Sequence, residues 1–258
     1  MRLAALALLV AAAPARGAEP WEEGEPRPFV AGLAEAGLHG RLAAQAGWGK
    51  PHWAWAGLQG AALVTPYTAG GEAALRAVLP FLELQVALRR TRSFSRPLLA
   101  PRASHDEAEL EGGHARLTVL DAGLSGVVPV PGGLAAWELE WLRPLDLPRG
   151  THAFEETWQI AIAPSGAGAV RGGWLVGLLQ DRVRLGPYGE AVRLFGRDAT
   201  VWRAGGALVW TIGPHLSLLA YGLFPVHGPD TFGTFTATSG TLALRYAFAS
   251  GDPAPGFP

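Results

Sequence analysis

Residues 81–91 decide the fold, and they read Phe-Leu-Glu-Leu-Gln-Val-Ala-Leu-Arg-Arg-Thr. One parity of this stretch is apolar, comprising Leu82, Leu84, Val86 and Leu88. The other parity carries the polar side chains Glu83, Gln85 and Arg89. Because successive side chains of a β-strand point to opposite faces, the stretch predicts a strand with one apolar and one polar face.

The same alternation recurs along most of the chain. Glu138 and Glu140 alternate with tryptophan and leucine, and Gln159 lies between Trp158 and Ile160. Eleven candidate strands follow from the pattern: 37–48, 52–65, 74–93, 114–128, 133–145, 156–164, 171–183, 187–196, 200–212, 215–225 and 240–249.

Two architectures fit this alternation. A secreted soluble sheet protein turns its apolar parity toward a core, whereas an outer-membrane barrel turns it toward lipid and its polar parity toward a lumen. The alternating segments run about 9 to 14 residues, near the 9 to 11 that a tilted strand needs to cross the hydrocarbon, and longer than the five or six of soluble strands. Tryptophans near segment ends suit the lipid–water boundary. We therefore predict an all-β protein with a single antiparallel transmembrane β-barrel.

The strand count follows from a rule for bacterial barrels. These have even numbers of strands and both termini in the periplasm, so eleven candidates imply one omission or error. The two best additional strands are 28–35 and 231–238. We expect about twelve strands, with ten as the fallback. Gly186-Pro187 and Gly213-Pro214 predict tight turns, and 95–113, 147–155 and 225–239 predict long connections.

Composition excludes several classes. The 258 residues carry a formal net charge of −1, with arginines scattered along the chain, so a nucleic-acid partner is not expected. The absence of cysteine excludes disulfides, thiolate nucleophiles and thiolate metal sites. No cofactor is expected.

The chain divides into four segments by composition. Met1-Arg2 followed by an apolar run and small residues predicts a cleaved signal peptide over 1–18. We expect a periplasmic leader over 19–35, the barrel over 36–249, and a flexible tail over 250–258.

Two sets of residues are candidates for function. The polar parity predicts a lumen lining that either sets selectivity or forms a plug: Arg41, Glu83, Gln85, Arg89, Glu138, Glu140, Gln159, Arg193, Arg203 and Arg245. Aromatic residues near segment ends predict the interfacial girdles: Trp48, Trp53, Trp174, Trp202, Trp210, Tyr246 and Phe248.

The C-terminal third resembles a known barrel family. The rhythm consists of an aromatic strand around Trp174, Gly-Pro-Tyr at 186–188, Ala-Gly-Gly at 204–206, Trp-Thr-Ile at 210–212, and Gly-Pro-His-Leu-Ser-Leu at 213–218. Over 170–248 it resembles the outer-membrane barrel family named for the MetA pathway of phenol degradation. That resemblance implies passage of small solutes across the outer membrane, and it brings no catalytic motif.

Three other chemistries deserve weighing. His215 and Ser217 share one strand face and resemble the His-x-Ser pair of barrel lipid A deacylases, with Asp230 as a possible acid. The acidic stretch from His105 to His114 has irregular spacing, which favours a solvated outer loop over a metal site. Glu138 and Glu140 are spaced like paired carboxylates but lack any sign of a sugar cleft, so lumen placement is favoured.

The sequence thus predicts a passive channel or transporter for small solutes in the outer membrane. Its expected partners are outer-membrane lipid, small solutes and the barrel-insertion machinery. The alternative from another class is a structural or adhesive barrel with a plugged lumen and long outer loops. An acyl hydrolase is the third hypothesis.

Overall fold

The computed structural model describes residues 25–37, 39–51, 53–250 and 252. Its strands in chain order are β1 (Arg27–Gly37), β2 (Gly40–Lys50), β3 (Ala54–Val64), β4 (Thr68–Leu79), β5 (Leu82–Ser93), β6 (Leu98–Leu99), β7 (Arg116–Val130), β8 (Gly133–Pro144), β9 (His152–Glu155), β10 (Ile160–Ile162), β11 (Ala167–Leu178), β12 (Val183–Leu194), β13 (Ala199–Thr211), β14 (Leu216–His227) and β15 (Ser239–Ala249). A 3₁₀ turn, Glu107–Leu110, and a one-turn helix, α1 (Thr234–Ala237), complete the elements.

Twelve antiparallel strands form a closed barrel. The wall comprises every strand except β6, β9 and β10, which form a separate three-stranded sheet. β1 closes the wall by pairing with β15, from Ala31 opposite Ala249 to Gly37 opposite Ala243. Closure leaves the wall without an unpaired strand edge, which a lipid-facing sheet requires. The prediction of an all-β barrel with twelve strands is confirmed.

The faces of the strands show which medium surrounds the wall. In β5, Leu84 and Leu88 are 50% and 47% exposed, whereas Glu83 is 2% and Arg89 0% exposed. A soluble sheet protein would bury the leucines and expose the charges. This chain does the reverse, as an outer-membrane barrel does.

The ends of the barrel differ in their connections. The chain enters at Arg27 and leaves at Ala249 on one end, which we call the terminal end, where the turns are short. At the opposite end, the loop end, the longest connections are 94–115, 145–166 and 228–238. The three predicted long connections lie there. Because bacterial barrels keep both termini in the periplasm, we expect the loop end to be the extracellular one.

Two strand assignments are wrong in a way that preserves the count. The segment 74–93 is two strands, β4 and β5, joined by a turn at Pro80 and Phe81. The segment 156–164 is not part of the wall, because it turns inward and ends in β10 of the small sheet. Its alternation was misleading, since residues of both parities are buried there: Trp158, Ile160, Ala161 and Ile162.

The first wall strand begins earlier than the predicted boundary between leader and barrel. The candidate segment 28–35 lies within β1, so the barrel begins at Arg27 and residues 27–35 are wall and not leader. The other candidate, 231–238, contains α1 in place of a strand. The signal peptide (1–18), the rest of the leader to residue 24, and residues 251 and 253–258 of the tail lie outside the described residues.

The expected turn at Gly186-Pro187 is also wrong, because both residues lie inside β12. Pairing of β12 with β11 skips from Tyr188 opposite Gly173 to Leu185 opposite Val176. Proline has no N–H to donate to a neighbouring strand, so the interruption of pairing at Pro187 has a local cause.

Helices play no part in the wall. Among the described residues, none of the helical segments has the length and apolar character needed to cross a membrane.

Candidate functional site

The candidate site is the lumen, which is filled at three depths. At the terminal end, an apolar cluster draws residues from every wall strand except β2 and β5, so it reaches across the lumen. Phe29 and Trp55 pack edge to face there, with ring centroids 5.4 Å apart. The guanidinium of Arg76 lies 5.5 Å from the Trp55 ring and links this cluster to the charges above it.

At mid-depth lies a layer of paired charges, which we call the ion-pair layer. On one side of the barrel, Arg41 contacts Glu72 at 3.3 Å and Glu35 at 4.0 Å. Arg76 donates to Glu83 at 2.8 Å from Nε and to Gln59 at 2.6 Å. In each of these ion pairs, both side chains are at most 10% exposed.

The opposite side of the layer is centred on Arg171. Its guanidinium contacts Glu138 at 3.2 Å and also pairs with Glu140 and Glu190. Glu190 in turn pairs with Arg203. A buried charge is tolerated only when it is paired, so this alternation of arginine and glutamate is what allows charges inside the barrel.

Strand register explains the alternation. Arg171 of β11 lies directly opposite Glu138 of β8 on one side and Glu190 of β12 on the other. Glu190 lies opposite Arg203 of β13. Directly opposed side chains on one face of an antiparallel pair are within contact distance, so four neighbouring strands build a continuous ladder of opposite charges.

A second ladder crosses the closure of the wall. Glu35 of β1 lies opposite Arg245 of β15 and Arg41 of β2. The Arg245 Nε atom is 3.9 Å from Glu35. The strand pair that closes the barrel is therefore also bridged by charge from inside.

The third depth is occupied by an inward-folded segment, residues 152–162, which we call the plug hairpin. Trp158, at 0% exposed, packs with Leu142, Val192 and Leu194 of the wall. Its backbone N–H donates to Glu155 at 2.6 Å, and the Arg171 guanidinium lies 5.2 Å from its ring. The plug hairpin thus packs on the β7–β13 side of the lumen and rests on the ion-pair layer.

Two arginines of the ion-pair layer hold the plug hairpin. Arg89 contacts Glu155 at 3.0 Å and Asp121 at 3.7 Å, and it donates to the Thr157 hydroxyl. Arg203 donates to the Gln159 carbonyl at 2.8 Å. Displacing the plug hairpin would therefore remove Glu155 from Arg89 and leave Asp121, at 3.7 Å, as its ion-pair contact among the described residues.

The side of the lumen that the plug hairpin leaves free holds a cavity of about 260 Å³ at the loop end, which we call the outer cavity. Arg41 and Arg89 line it and also belong to the ion-pair layer, so the cavity meets that layer directly. Arg96 lies 4.2 Å from the Tyr67 ring and pairs with Glu156 at 3.0 Å. Hydroxyl groups from the wall, the plug hairpin and the loops make up much of the remaining lining: Thr65, Thr68, Thr91, Thr157, Thr236, Thr238 and Thr241.

Most of the predicted lumen residues lie inside the wall. Seven are buried there: Arg41, Glu83, Gln85, Arg89, Glu138, Glu140 and Arg203. Arg245 is half-buried beside Glu35. Gln159 belongs to the plug hairpin and not to a wall strand.

Arg193 is the exception, and its assignment to the lumen is wrong. It is exposed and pairs with Asp198, which is 91% exposed at its side chain. Its neighbours Val192 and Leu194 point inward, because the loop end of β12 packs on the plug hairpin and the inner face there is apolar.

About half of the ion-pair layer is not among the predicted lumen residues. The missed members share the parity of the charged face but lie in segments where small residues obscure the alternation: Glu35, Gln59, Glu72, Arg76, Asp121, Arg171 and Glu190. The sequence does carry a signal for these residues, which is a charged residue two positions from a small or apolar residue and therefore on the same strand face. Glu72 and Ala74 are an example.

The predicted girdle residues lie mostly at the terminal end. Trp48, Trp174, Trp210 and Phe248 are exposed near that end of their strands, and Trp53 lies in the turn before β3. Tyr246 is half-buried between His215 and Phe248. Trp202 is exposed near the loop end, where Phe195 and Phe224 are also exposed.

The acyl-hydrolase arrangement is not assembled. His215 lies in the turn before β14 and its Nδ1 contacts the Ala247 carbonyl at 3.0 Å. Ser217 lies opposite Arg245 near the terminal end. Asp230 lies beyond the other end of β14, where it pairs with Arg197.

The acidic outer stretch is more ordered than a solvated loop. His105 is 1% exposed, and the Glu107 carboxylate accepts from the Gly233 N–H at 2.7 Å. Within the part of the chain that the structure describes, no three metal-ligating side chains gather as a metal site would require.

Comparisons with known proteins return structures only. No family model and no curated protein matches the chain, so the resemblance of 170–248 to the MetA-pathway family stays a prediction. The chain is similar to a structure titled KdgM porin, at 7% identity, a TM-score of 0.45, and 85% of this chain and 99% of that chain covered. It is also similar to the outer membrane protein Omp33 of Acinetobacter baumannii, at 14% identity, a TM-score of 0.35, and 87% and 98% covered. A third similar structure is the translocator domain of the autotransporter NalP from Neisseria meningitidis, at 13% identity, a TM-score of 0.37, and 86% of each chain covered.

Proposed function

We propose that this outer-membrane barrel is a passive channel or transporter through which small solutes cross the outer membrane, and that its lumen is gated. Solute enters the outer cavity from the extracellular side, and it passes deeper only when the plug hairpin, the ion-pair layer and the apolar cluster at the terminal end rearrange. Passage is passive and uses no cofactor. Lipid of the outer membrane surrounds the wall, and the barrel-insertion machinery places the chain there.

One observation carries this proposal: the outer cavity is lined by Arg41 and Arg89, which are themselves members of the ion-pair layer. A binding site on a loop surface would have no such connection to the lumen. Rings of charged side chains set selectivity in known pores, and the same chemistry is available here.

A second candidate function is supported by the packing of the lumen. The terminal-end cluster, the ion-pair layer and the plug hairpin together occupy three depths. A barrel packed in this way serves equally well as a rigid platform that displays its loops to a ligand outside the cell.

Conductance across planar bilayers separates the two. We expect the native protein to be mostly silent and a variant with residues 148–164 replaced by a short Gly-Ser linker to show discrete steps. The linker can be short because β8 and β11 are neighbours, with Leu142 opposite Ala167. Arg193→Met, on the outer face, is the matched control and should stay silent. A folded linker variant without steps would show that the plug hairpin is not the gate and would favour the display platform, since the ion-pair layer and the apolar cluster still fill the lumen of that variant.

A further inference from the structure

Four outer segments meet at one buried pair of histidines. His105 comes from the connection between β5 and β7, and His152 begins β9 of the plug hairpin. His105 Nε2 and His152 Nδ1 are 2.9 Å apart, and the residues are 1% and 6% exposed. The other ring nitrogen of His105, Nδ1, lies 2.8 Å from the Glu109 carboxylate.

The remaining two segments enter through an ion pair beside these rings. Asp230, in the connection before β15, accepts from the His105 backbone N–H at 2.9 Å and pairs with Arg197. Arg197, in the turn after β12, donates to the Ala161 carbonyl of the plug hairpin at 2.9 Å and to the Ala103 carbonyl at 2.8 Å. We call His105, Glu109, His152, Arg197 and Asp230 the outer clasp.

The hydrogen bonds assign the proton positions in the pair. With Glu109 accepting from His105 Nδ1–H, His105 Nε2 must accept from His152 Nδ1–H. If each ring carried an added proton, the two facing nitrogens would both be N–H groups, and two positively charged rings would be in contact. The pair therefore accommodates one added proton and is broken by the second.

We propose that the outer clasp is an acid-operated latch, in which acid adds more protons to the histidine pair than its hydrogen bond can accommodate and so releases the plug hairpin from the outer loops. The consequence for conduction rests on the proposed gated lumen, but the release itself does not. Among the described residues, Glu109 and Asp230 face the pair and favour added protons, Arg197 opposes them, and Arg102 pairs with Glu109 at 2.7 Å.

The direction of the pH effect follows from His152. Burial, together with the positive charges of Arg197 and His105, lowers the pKa of His152 to about 4. In the open state the ring is hydrated, and its pKa returns to about 6.5. The closed clasp therefore keeps its full stability above pH 6.5 and loses stability as the pH falls from 6.5 toward 4. The equilibrium constant for opening is about 70-fold larger at pH 4.5 than at pH 7.5.

The absence of cysteine in the chain provides a direct test. Ala161→Cys places a reporter thiol in the plug hairpin at a site that is 0% exposed, and Ala100→Cys places one at an exposed site as reference. The ratio of their labelling rates with a methanethiosulfonate reagent removes the pH dependence of the thiol itself. We expect this ratio to rise by at least about 10-fold between pH 7.5 and pH 4.5.

Two histidine variants locate the effect. His152→Gln preserves a hydrogen-bonding side chain but cannot be protonated, so the ratio should stay low at both pH values. His114→Gln removes an exposed histidine outside the clasp and should retain the full rise. Heat-modifiable gel migration checks that each variant is folded.

A flat ratio with the native histidines would overturn the latch, and so would an undiminished rise in folded His152→Gln. The arm with native histidines needs no substitution in the clasp, so misfolding of His152→Gln does not protect the proposal. Labelling also separates the two proposals. Acid-induced labelling of a barrel whose linker variant never conducts would retain the latch and count against the plug hairpin as the gate of the lumen.

Discussion

Charged side chains inside this barrel are stabilised by oppositely charged neighbours on adjacent strands. Arg171 has three carboxylate partners, Glu138, Glu140 and Glu190, and its side chain is 2% exposed. The arginine at position 193 has an exposed carboxylate partner, Asp198, and a half-exposed side chain. Burial therefore decides how much each arginine contributes to stability.

This difference predicts unequal effects of one substitution. Arg171→Met removes the cation that Glu138 and Glu140 share and leaves Glu190 with Arg203 alone, so we expect the free energy of unfolding to fall by about 3–5 kcal/mol. Arg193→Met should change it by less than about 1 kcal/mol. Urea unfolding in lipid vesicles, followed by gel migration, measures both. Equal losses for the two variants would mean that the ion-pair layer is not buried in the membrane.

Individual strands show the same logic at the scale of the element. β5 exposes Leu84 and Leu88 while it buries Glu83 and Arg89, and the alternation alone does not say which parity is buried. Closure of twelve strands decides it, because a narrow lumen accommodates paired charges while the outer face meets hydrocarbon.

The outward face of β5 therefore predicts a dependence on depth. Leu88 lies near the middle of the strand, so Leu88→Arg should destabilise the folded barrel in vesicles by about 2–4 kcal/mol. Leu179, 72% exposed in the turn after β11, lies near the interface, and Leu179→Arg should cost at most about 1 kcal/mol. Urea titration in vesicles gives both values. A soluble, detergent-free Leu88→Arg protein with native stability would contradict the membrane assignment.

The whole molecule has two unlike ends. Short turns and both termini occupy the terminal end, whereas the plug hairpin, the outer cavity and the outer clasp all lie at the loop end. We therefore expect the plug hairpin, the outer cavity and the outer clasp to face the outside of the cell.

The asymmetry can be measured with inserted epitopes. An epitope at Gly150, whose surroundings are open, should be labelled by antibody on intact cells. One in the turn at 131–132, between β7 and β8, should be labelled only after the outer membrane is permeabilised. The opposite pattern would reverse the barrel and place the outer cavity in the periplasm.

The sequence by itself determined the wall. Alternation over membrane-spanning lengths is a local property, and it was enough to predict a barrel of about twelve strands and to place Glu83, Arg89 and Glu138 on its polar face. Local pattern could not separate β4 from β5, where Pro80 and Phe81 interrupt the alternation only briefly.

Only the tertiary structure decided what fills the wall. Residues 156–164 alternate like a strand, yet they fold inward. The reason is that Trp158 packs against apolar residues of β8 and β12 and that Glu155 pairs with Arg89. His105 and His152 are 47 residues apart and meet only through that folding. Such contacts depend on strand register and on the path of the loops, and neither is written in the alternation of a single strand.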